Sequence, residues 1–384
     1  MSVGITRGIS MGISLEDVYK NFRQYIVKNL NYKLDETFKI QNKEELCDDD
    51  KTSFNLFKGI KIYKSEYTSF NEKVILFNYN PNEIPEGMEI NNGSYILFSY
   101  YENNDFRGNV SGFAKEIDLD LGMVIRLFSK LEYAPLINLD LSQDIIEDIL
   151  DAEIHTFDSI KKLFSKIAVF KIENEYLNNE YEVEEYSDWI YRFLGILKCK
   201  NKIENINKEI YFSKECIEEY ITVFSEYIKY FPYENLYLSL NHNSPKHIFL
   251  DIYRTIEKLY PIIFCMKIKK EMGIVNMDLF DIHKKLKSEL NWNHKEAEAI
   301  KEIFEYAKDI SMQNINNIDN FKKNLDLKYE EMRIDNWIYQ IRNISVHLSF
   351  NDENKIDIDK CLNEDIVIMN LIPIISGLYK TIFM

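Results

Sequence analysis

Apolar residues recur along this chain with two different periods, and the change from one to the other divides it. Residues 1–13 contain Gly and Ser with no period, which predicts a flexible N-terminus. Ser14-Leu15-Glu16-Asp17 has the form of a capping box, so a helix is expected from there to about Leu30. Lys73-Val74-Ile75-Leu76-Phe77-Asn78-Tyr79 and Ser94-Tyr95-Ile96-Leu97-Phe98-Ser99-Tyr100-Tyr101 are β-branched and aromatic runs. They are bounded by Asn80-Pro81-Asn82 and Asn91-Asn92-Gly93, the turn chemistry that marks strand ends. Residues 57–63 form a third candidate strand. Residues 14–135 thus read as a small α+β domain with a short antiparallel sheet.

From Leu141 onward the period becomes helical. Residues 141–170, 186–197, 214–230, 245–270, 277–290, 295–310 and 334–350 all carry apolar side chains at three- and four-residue spacing. Ser244-Pro245 supplies an N-cap and a first-position proline for the longest of these, and Asn293 is a candidate cap for the helix at Lys295. The pattern predicts an α+β protein overall: a flexible N-terminus (1–13), the small domain (14–135), an acidic helical connector (136–210) and a mainly helical domain (211–384). The boundary is expected between 190 and 240, where Phe231-Pro232-Tyr233 is the clearest local break.

Composition narrows the class. Of 384 residues 46% are hydrophobic and 14% aromatic, enough for two or three domains with cores of their own. Only 12 Gly and 7 Pro favour long helices on short connections and exclude collagen-like or linker-dominated chains. No apolar run approaches the roughly 20 residues that span a bilayer, and the first residues lack the apolar core of a secretory signal. A cytoplasmic protein without membrane contact is expected. Cys47, Cys199, Cys216, Cys265 and Cys361 are scattered and form no CxxC, which predicts reduced, buried thiols and no zinc site.

The net charge of −16 argues against nonspecific coating of nucleic acid, which relies on basic surface. The acid is uneven, however. Fourteen acidic residues against four lysines lie between Asp140 and Asp188, a solvated face by composition. The total therefore leaves room for a local basic cleft elsewhere.

Residues 334–350 carry the strongest candidate chemistry. At 100° per residue, Trp337, Ile338, Ile341, Ser345 and Leu348 form a core-facing stripe. Asn343 and His347, at i and i+4, share the opposite side, and Arg342 flanks them. A surface His beside a surface Arg also occurs without any function. Arg342-Asn343-x3-His347 nevertheless resembles the Arg-x4–6-His motif, often with a polar residue after the Arg, of the HEPN superfamily (higher eukaryotes and prokaryotes nucleotide-binding). The stretch from His247 to Tyr260, with its internal Arg254 and Glu257, is similar to the first long helix of the Apea-like HEPN subgroup. The helix at Lys295 and the Arg-Asn-x3-His helix follow in the same order. The resemblance covers about residues 215–384, and residues 1–200 resemble no nameable domain.

The resemblance implies an all-helical, metal-independent endoribonuclease that needs no cofactor. RNA is then cut by its own 2′-hydroxyl, leaving a 2′,3′-cyclic phosphate and a 5′-hydroxyl. His347 would move protons near neutral pH, and Arg342 would stabilise the phosphorane with forked donors. Asn343 would orient the imidazole or hold a phosphate oxygen. One motif per chain implies a homodimer with a composite cleft about a two-fold axis. By analogy it also implies anti-phage abortive infection or a toxin–antitoxin role, with a regulatory partner or antitoxin.

Arg254 and Glu257 either pair along the helix surface, or Glu257 reaches across the bundle to orient Arg342. Lys267, Lys269 and Lys270, with Lys284, Lys285 and Lys287, are candidates for an RNA-attracting rim, or else complement a helix C-terminus. His242 and His247, like His283 and His294, lack metal-ligand spacing. The opposing reading is a non-catalytic HEPN-like module that binds a nucleotide, RNA or protein.

Overall fold

A computed structural model of the chain describes residues 15–30, 32, 60–67, 73–79, 94–100, 114–117, 121–151, 160–172, 186–204, 211–290, 295–346 and 356–383. The expectations placed on residues 1–14, Cys47, 57–59, the turns at 80–82 and 91–93, Tyr101, Asn293 and 347–350 lie outside these. The chain is α+β, and it forms two compact units that meet between Tyr186 and Ser187.

The first unit contains α1 (Leu15–Leu30), β1 (Ile60–Tyr67), β2 (Lys73–Tyr79), β3 (Ser94–Tyr100), β4 (Ala114–Ile117), α2 (Leu121–Leu127), α3 (Gln143–Leu150) and β5 (Lys166–Ile172). The strands make one antiparallel sheet in the order β1-β2-β3-β5-β4. β5 lies within the stretch expected to be helical, and in the segment expected to be a connector. Its sequence, KIAVFKI, is β-branched and aromatic, and it gains ladder partners on both sides, Ile96↔Phe170 toward β3 and Ile117↔Val169 toward β4. Pairing with strands distant in sequence overrides the local helical spacing. Among the described residues two apolar clusters hold the unit. Val18, Phe22, Tyr25 and Ile26, one face of α1, pack with Phe128, Ile146 and Phe164, with Phe22 edge-on to Phe128 at 4.8 Å. Ile75, Phe77 and Val169 of the sheet pack with Met123 and Leu127 of α2.

Lys73 shares the inward parity of Ile75 and Phe77, is fully buried, and donates through Nζ to the carbonyl of Ala134. Desolvation drives its pKa down to about 8, against the pull of the Glu132 charge.

The second unit is helical throughout its described residues. It comprises α4 (Tyr186–Glu204), α5 (Lys214–Ser225), α6 (Tyr233–Leu240), α7 (Pro245–Glu257), α8 (Tyr260–Glu271), α9 (Leu279–Leu290), α10 (Glu296–Leu325), α11 (Ile334–Val346), α12 (Ile358–Cys361) and α13 (Ile366–Phe383). The expected helix 245–270 is broken into α7 and α8, because Pro261 lacks the N–H and would clash with the turn before it. α10 runs past its expected end and kinks at Ser311, where φ is −138° and ψ 41°. Phe231-Pro232-Tyr233 is buried inside this unit, as the turn into α6, and does not separate domains.

α13 is the hub. It is the one described helix long and apolar enough to cross a membrane, a feature that Asn370, Pro373, Ser376 and Lys380 hide from a search for unbroken apolar runs. Here α5, α7 and α10 pack around it, burying Val367, Ile368, Leu371, Ile372, Ile374, Ile375 and Leu378. Two polar ties set its register: Asn317 donates to Asn370 Oδ1 at 2.9 Å, and the Tyr379 hydroxyl donates to the carbonyl of Thr255 at 3.0 Å. At Gly377 an added Cβ would stand 2.9 Å from a methyl of Ile310, so glycine eases the close approach of α10 to α13 there. Cys199, Cys216, Cys265 and Cys361 are free and buried.

Two outcomes follow from this packing. A Cβ at Gly195 would meet the buried Phe224 ring at 2.4 Å. Gly195→Ala is expected to lower stability by about 1–3 kcal/mol despite the roughly 1 kcal/mol gain in helix propensity, read as a lower thermal midpoint. For Lys73, the folded state releases its proton near pH 8 and the unfolded state only near 10.5. Between these values the unfolded chain binds more protons, so stability rises with pH across that window. In denaturant titrations the free-energy difference between wild type and Lys73→Met should therefore shift toward wild type from pH 7 to 10. A pH-independent difference would contradict this account of Lys73.

Candidate functional site

α11 presents the residues singled out in the sequence. Ile334, Trp337, Ile338, Ile341 and Ser345 are buried, so the core stripe falls where periodicity places it. Arg342 sits at its edge with 18% of its side chain exposed, against α7. Its Nε and Nη2 both donate to Oε1 of Glu257, at 3.0 and 2.8 Å. Nη1 donates to Asn343 Oδ1 at 3.1 Å and lies 3.6 Å from Oε2 of Glu296, at the start of α10. The guanidinium carbon stands 6.0 Å from the centre of the Tyr253 ring, whose hydroxyl bonds that of Tyr260. Three helices thus converge on one side chain.

The electrostatics explain why this arginine tolerates its position. Partial burial works against the charge, but the hydrogen bond and charge of Glu257, reinforced by Glu296, outweigh it and hold the pKa above the ordinary arginine value. Burial and the nearby carboxylates push the Tyr253 hydroxyl well up, against the effects of its bond to Tyr260 and of Arg342. Arginine carries five N–H donors in a plane. Three are used in these bonds, and Nη1 also faces the Glu296 carboxylate.

Of the two alternatives for Glu257 and Arg254, the structure shows Glu257 across the bundle on Arg342, while Arg254 turns to Asp251 instead. Asn343 is engaged with Arg342. His347, with Leu348, lies outside the described residues. The lysines are on the α8–α9 pair rather than in the Arg342 cluster. Lys267 is ion-paired to Glu302 of α10, Lys269 and Lys270 occupy the last turn of α8, and Lys284, Lys285 and Lys287 are exposed on α9. Sequence reasoning missed Tyr253 and Glu296. Tyr253 is one turn before Glu257, so its place beside a reaching Glu257 was open to inference, whereas nothing local marks Glu296. A groove of about 450 Å³ runs between α10 and α11, lined by Ile300, Lys301, Met332, Arg333, Asp335 and Tyr339 among others. Its Ala297 and Tyr339 adjoin Glu296 and Arg342 along the two helices. Among the described residues no cluster of three or more His, Cys, Asp or Glu could hold a metal ion.

No family model, curated protein or solved structure matches the chain.

The two bonds from Arg342 to one oxygen of Glu257 make a quantitative expectation. Arg342→Met and Glu257→Gln should each destabilise the fold. A double-mutant cycle at low salt should return a coupling on the order of 1–2 kcal/mol, as expected for hydrogen bonds between charged, largely desolvated groups. A coupling near zero would mean that Glu257 does not hold Arg342.

Proposed function

We propose that the second unit is an HEPN-like helical domain acting as a metal-independent endoribonuclease, with Arg342 and His347 as its working pair. The observation that carries this reading is the posture of Arg342. Within an Arg-Asn-x3-His sequence its guanidinium is fixed through two nitrogens by Glu257. A phosphorane carries charge on oxygens that a planar, pre-positioned guanidinium stabilises without reorganising. The 2′-hydroxyl attacks the adjacent phosphorus, the bond to O5′ breaks, and His347 supplies the proton transfer that a near-neutral imidazole allows. Asn343 accepts from Nη1 and so holds that edge of Arg342 in register. By the same resemblance the active form is a cytoplasmic homodimer, an effector of anti-phage defence or a toxin–antitoxin system under the control of a partner or antitoxin.

One observation favours a second reading. Glu257 and Glu296 both face Arg342 in a chain of net charge −16, a setting that suits a structural arginine in a non-catalytic module binding a nucleotide, RNA or protein.

Single-stranded RNA incubated with the protein in EDTA separates the two. The catalytic reading expects 2′,3′-cyclic phosphate ends, and a loss on the order of 100-fold or more in His347→Ala and Arg342→Ala with folding retained. RNA binding without cleavage would support the module, and a strict need for Mg²⁺ would overturn the metal-independent mechanism.

A further inference from the structure

The second unit holds a cavity of about 460 Å³, none of whose lining residues belongs to the Arg342 cluster. Its size falls within the range of about 300–1,000 Å³ that small-molecule sites occupy. Tyr230 reaches it from the turn between α5 and α6, Phe280 from α9, and Phe383 from the last position of α13. Asp188 comes from the first turn of α4, and Lys258 directly follows α7.

The apolar side of the cavity is an aromatic platform. Phe280 and Phe383 lie within 6° of parallel, with ring centres 5.6 Å apart. Tyr230 is steeply inclined to both, at 4.7 and 5.1 Å. Tyr230 and Phe280 remain 51% and 41% exposed, and large apolar rings left open together mark a binding surface. Tyr230 is also the one described non-glycine residue in the left-handed region, at φ 61°. Side chains rarely adopt that backbone, and such strain gathers at ligand sites. A platform of this kind suits the face of a flat ring, which stacks on aromatic side chains whatever its edge carries.

The polar side decides which ring. Asp188 offers a carboxylate. Lys258 offers an ammonium, one of whose three donors goes to Asn235 Oδ1 at 2.9 Å. The two lie near each other. Burial lowers the Lys258 pKa, and the charges of Glu234 and Asp188 act to raise it. A flat ring that meets this pair needs N–H groups for the carboxylate and a neighbouring acceptor for the ammonium. Guanine has both on one edge, where N1–H and the N2 amine form a fork of two donors beside O6. Adenine and cytosine present one amine next to a ring nitrogen, and uracil one N–H between two carbonyls. Guanine alone among them matches both oxygens of a carboxylate, in charge-assisted bonds. Lys229, whose amine stands 5.1 Å from the centre of the Tyr230 ring, adds a positive charge beside the platform, which suits a ligand with a phosphate.

We propose that this cavity is a guanine-binding site, with the base stacked on Phe280 and its N1–N2–O6 edge held by Asp188 and Lys258. The inference stands apart from the RNA-cleaving reading, since none of these residues takes part in that reaction. A free guanine nucleotide and an unpaired guanine of an RNA strand present the same base to the same groups.

Calorimetric titration tests this with guanosine and adenosine monophosphates, and with 2′-O-methyl oligoadenylates that carry or lack one central guanosine. At least one guanine probe should bind about tenfold or more tightly than its adenine counterpart. Phe280→Ala should weaken that binding by about tenfold, and Asp188→Asn should reduce the preference for guanine to about threefold or less. Tight binding of guanosine monophosphate assigns the site to a free nucleotide, and binding confined to the guanosine-bearing strand assigns it to RNA. Phe280 is part-exposed, so its truncation should leave the thermal midpoint nearly unchanged. Should either variant unfold, Lys258→Met puts the same question to the O6 contact, with a loss of about tenfold expected. Equal affinity for guanine and adenine probes, no saturable binding of any probe, or guanine binding that survives these substitutions overturns the assignment.

Discussion

The second unit depends on the burial of α13, a helix with almost no polar side to turn to water. An apolar helix of this kind must be wrapped, and α5, α7 and α10 do so. Their positions are set by it, since each has a single apolar face to offer. Once α7 and α10 are fixed against α13, α11 closes against both, and Glu257, Glu296 and Arg342 are brought together from three helices. Side chains with polar atoms keep this nonspecific attraction in register. The Asn317–Asn370 bond and the Tyr379 hydroxyl on Thr255 each leave a buried group unpaired if a helix slips. Glycine at 377 allows the close approach that the packing demands.

Against that scaffold the charge on Arg342 is a constraint of its own. A guanidinium mostly withdrawn from water needs carboxylates, and two carboxylates close by make the neighbourhood poor for a free anion. The arrangement reconciles these demands through geometry. Glu257 takes one edge of the plane, leaving other N–H groups pointed elsewhere. A lysine in the same place offers no fixed second edge. α7 therefore carries an anchor for a histidine, Asp251, and an anchor for an arginine, Glu257.

How much of this was legible in the sequence depends on the range of the interaction. α1, β2 and β3 were readable because their apolar periods are local and strong. β5 was not, since KIAVFKI earns its conformation from β3 and β4, strands distant along the chain. The break at Pro261 was readable from the residue itself but was masked by the apolar spacing that continues on either side. The continuation of α10 through Ser311 has no local signature, and α13 was obscured because polar residues divide its apolar run. At the site, α11 and its buried stripe followed from periodicity, and Glu257 stood as one of two alternatives for its partner. Glu296 and the His242–Asp251 contact could not be seen, since each depends on how neighbouring helices turn toward one another. The lysines are a cluster in sequence that the structure places on α8 and α9.

Glu257 and Arg342 are separated by 85 residues, and the hub that aligns their helices follows both in the chain. A ribosome adding about 5–20 residues per second would expose α7 for several seconds before α11 emerges, and longer before α13 completes the core. Throughout that interval the nascent chain holds Glu257 but not Arg342, so no truncated chain lacking α11 carries the assembled cluster. For a protein whose proposed activity would damage the cell that makes it, that late assembly is a built-in delay between synthesis and competence.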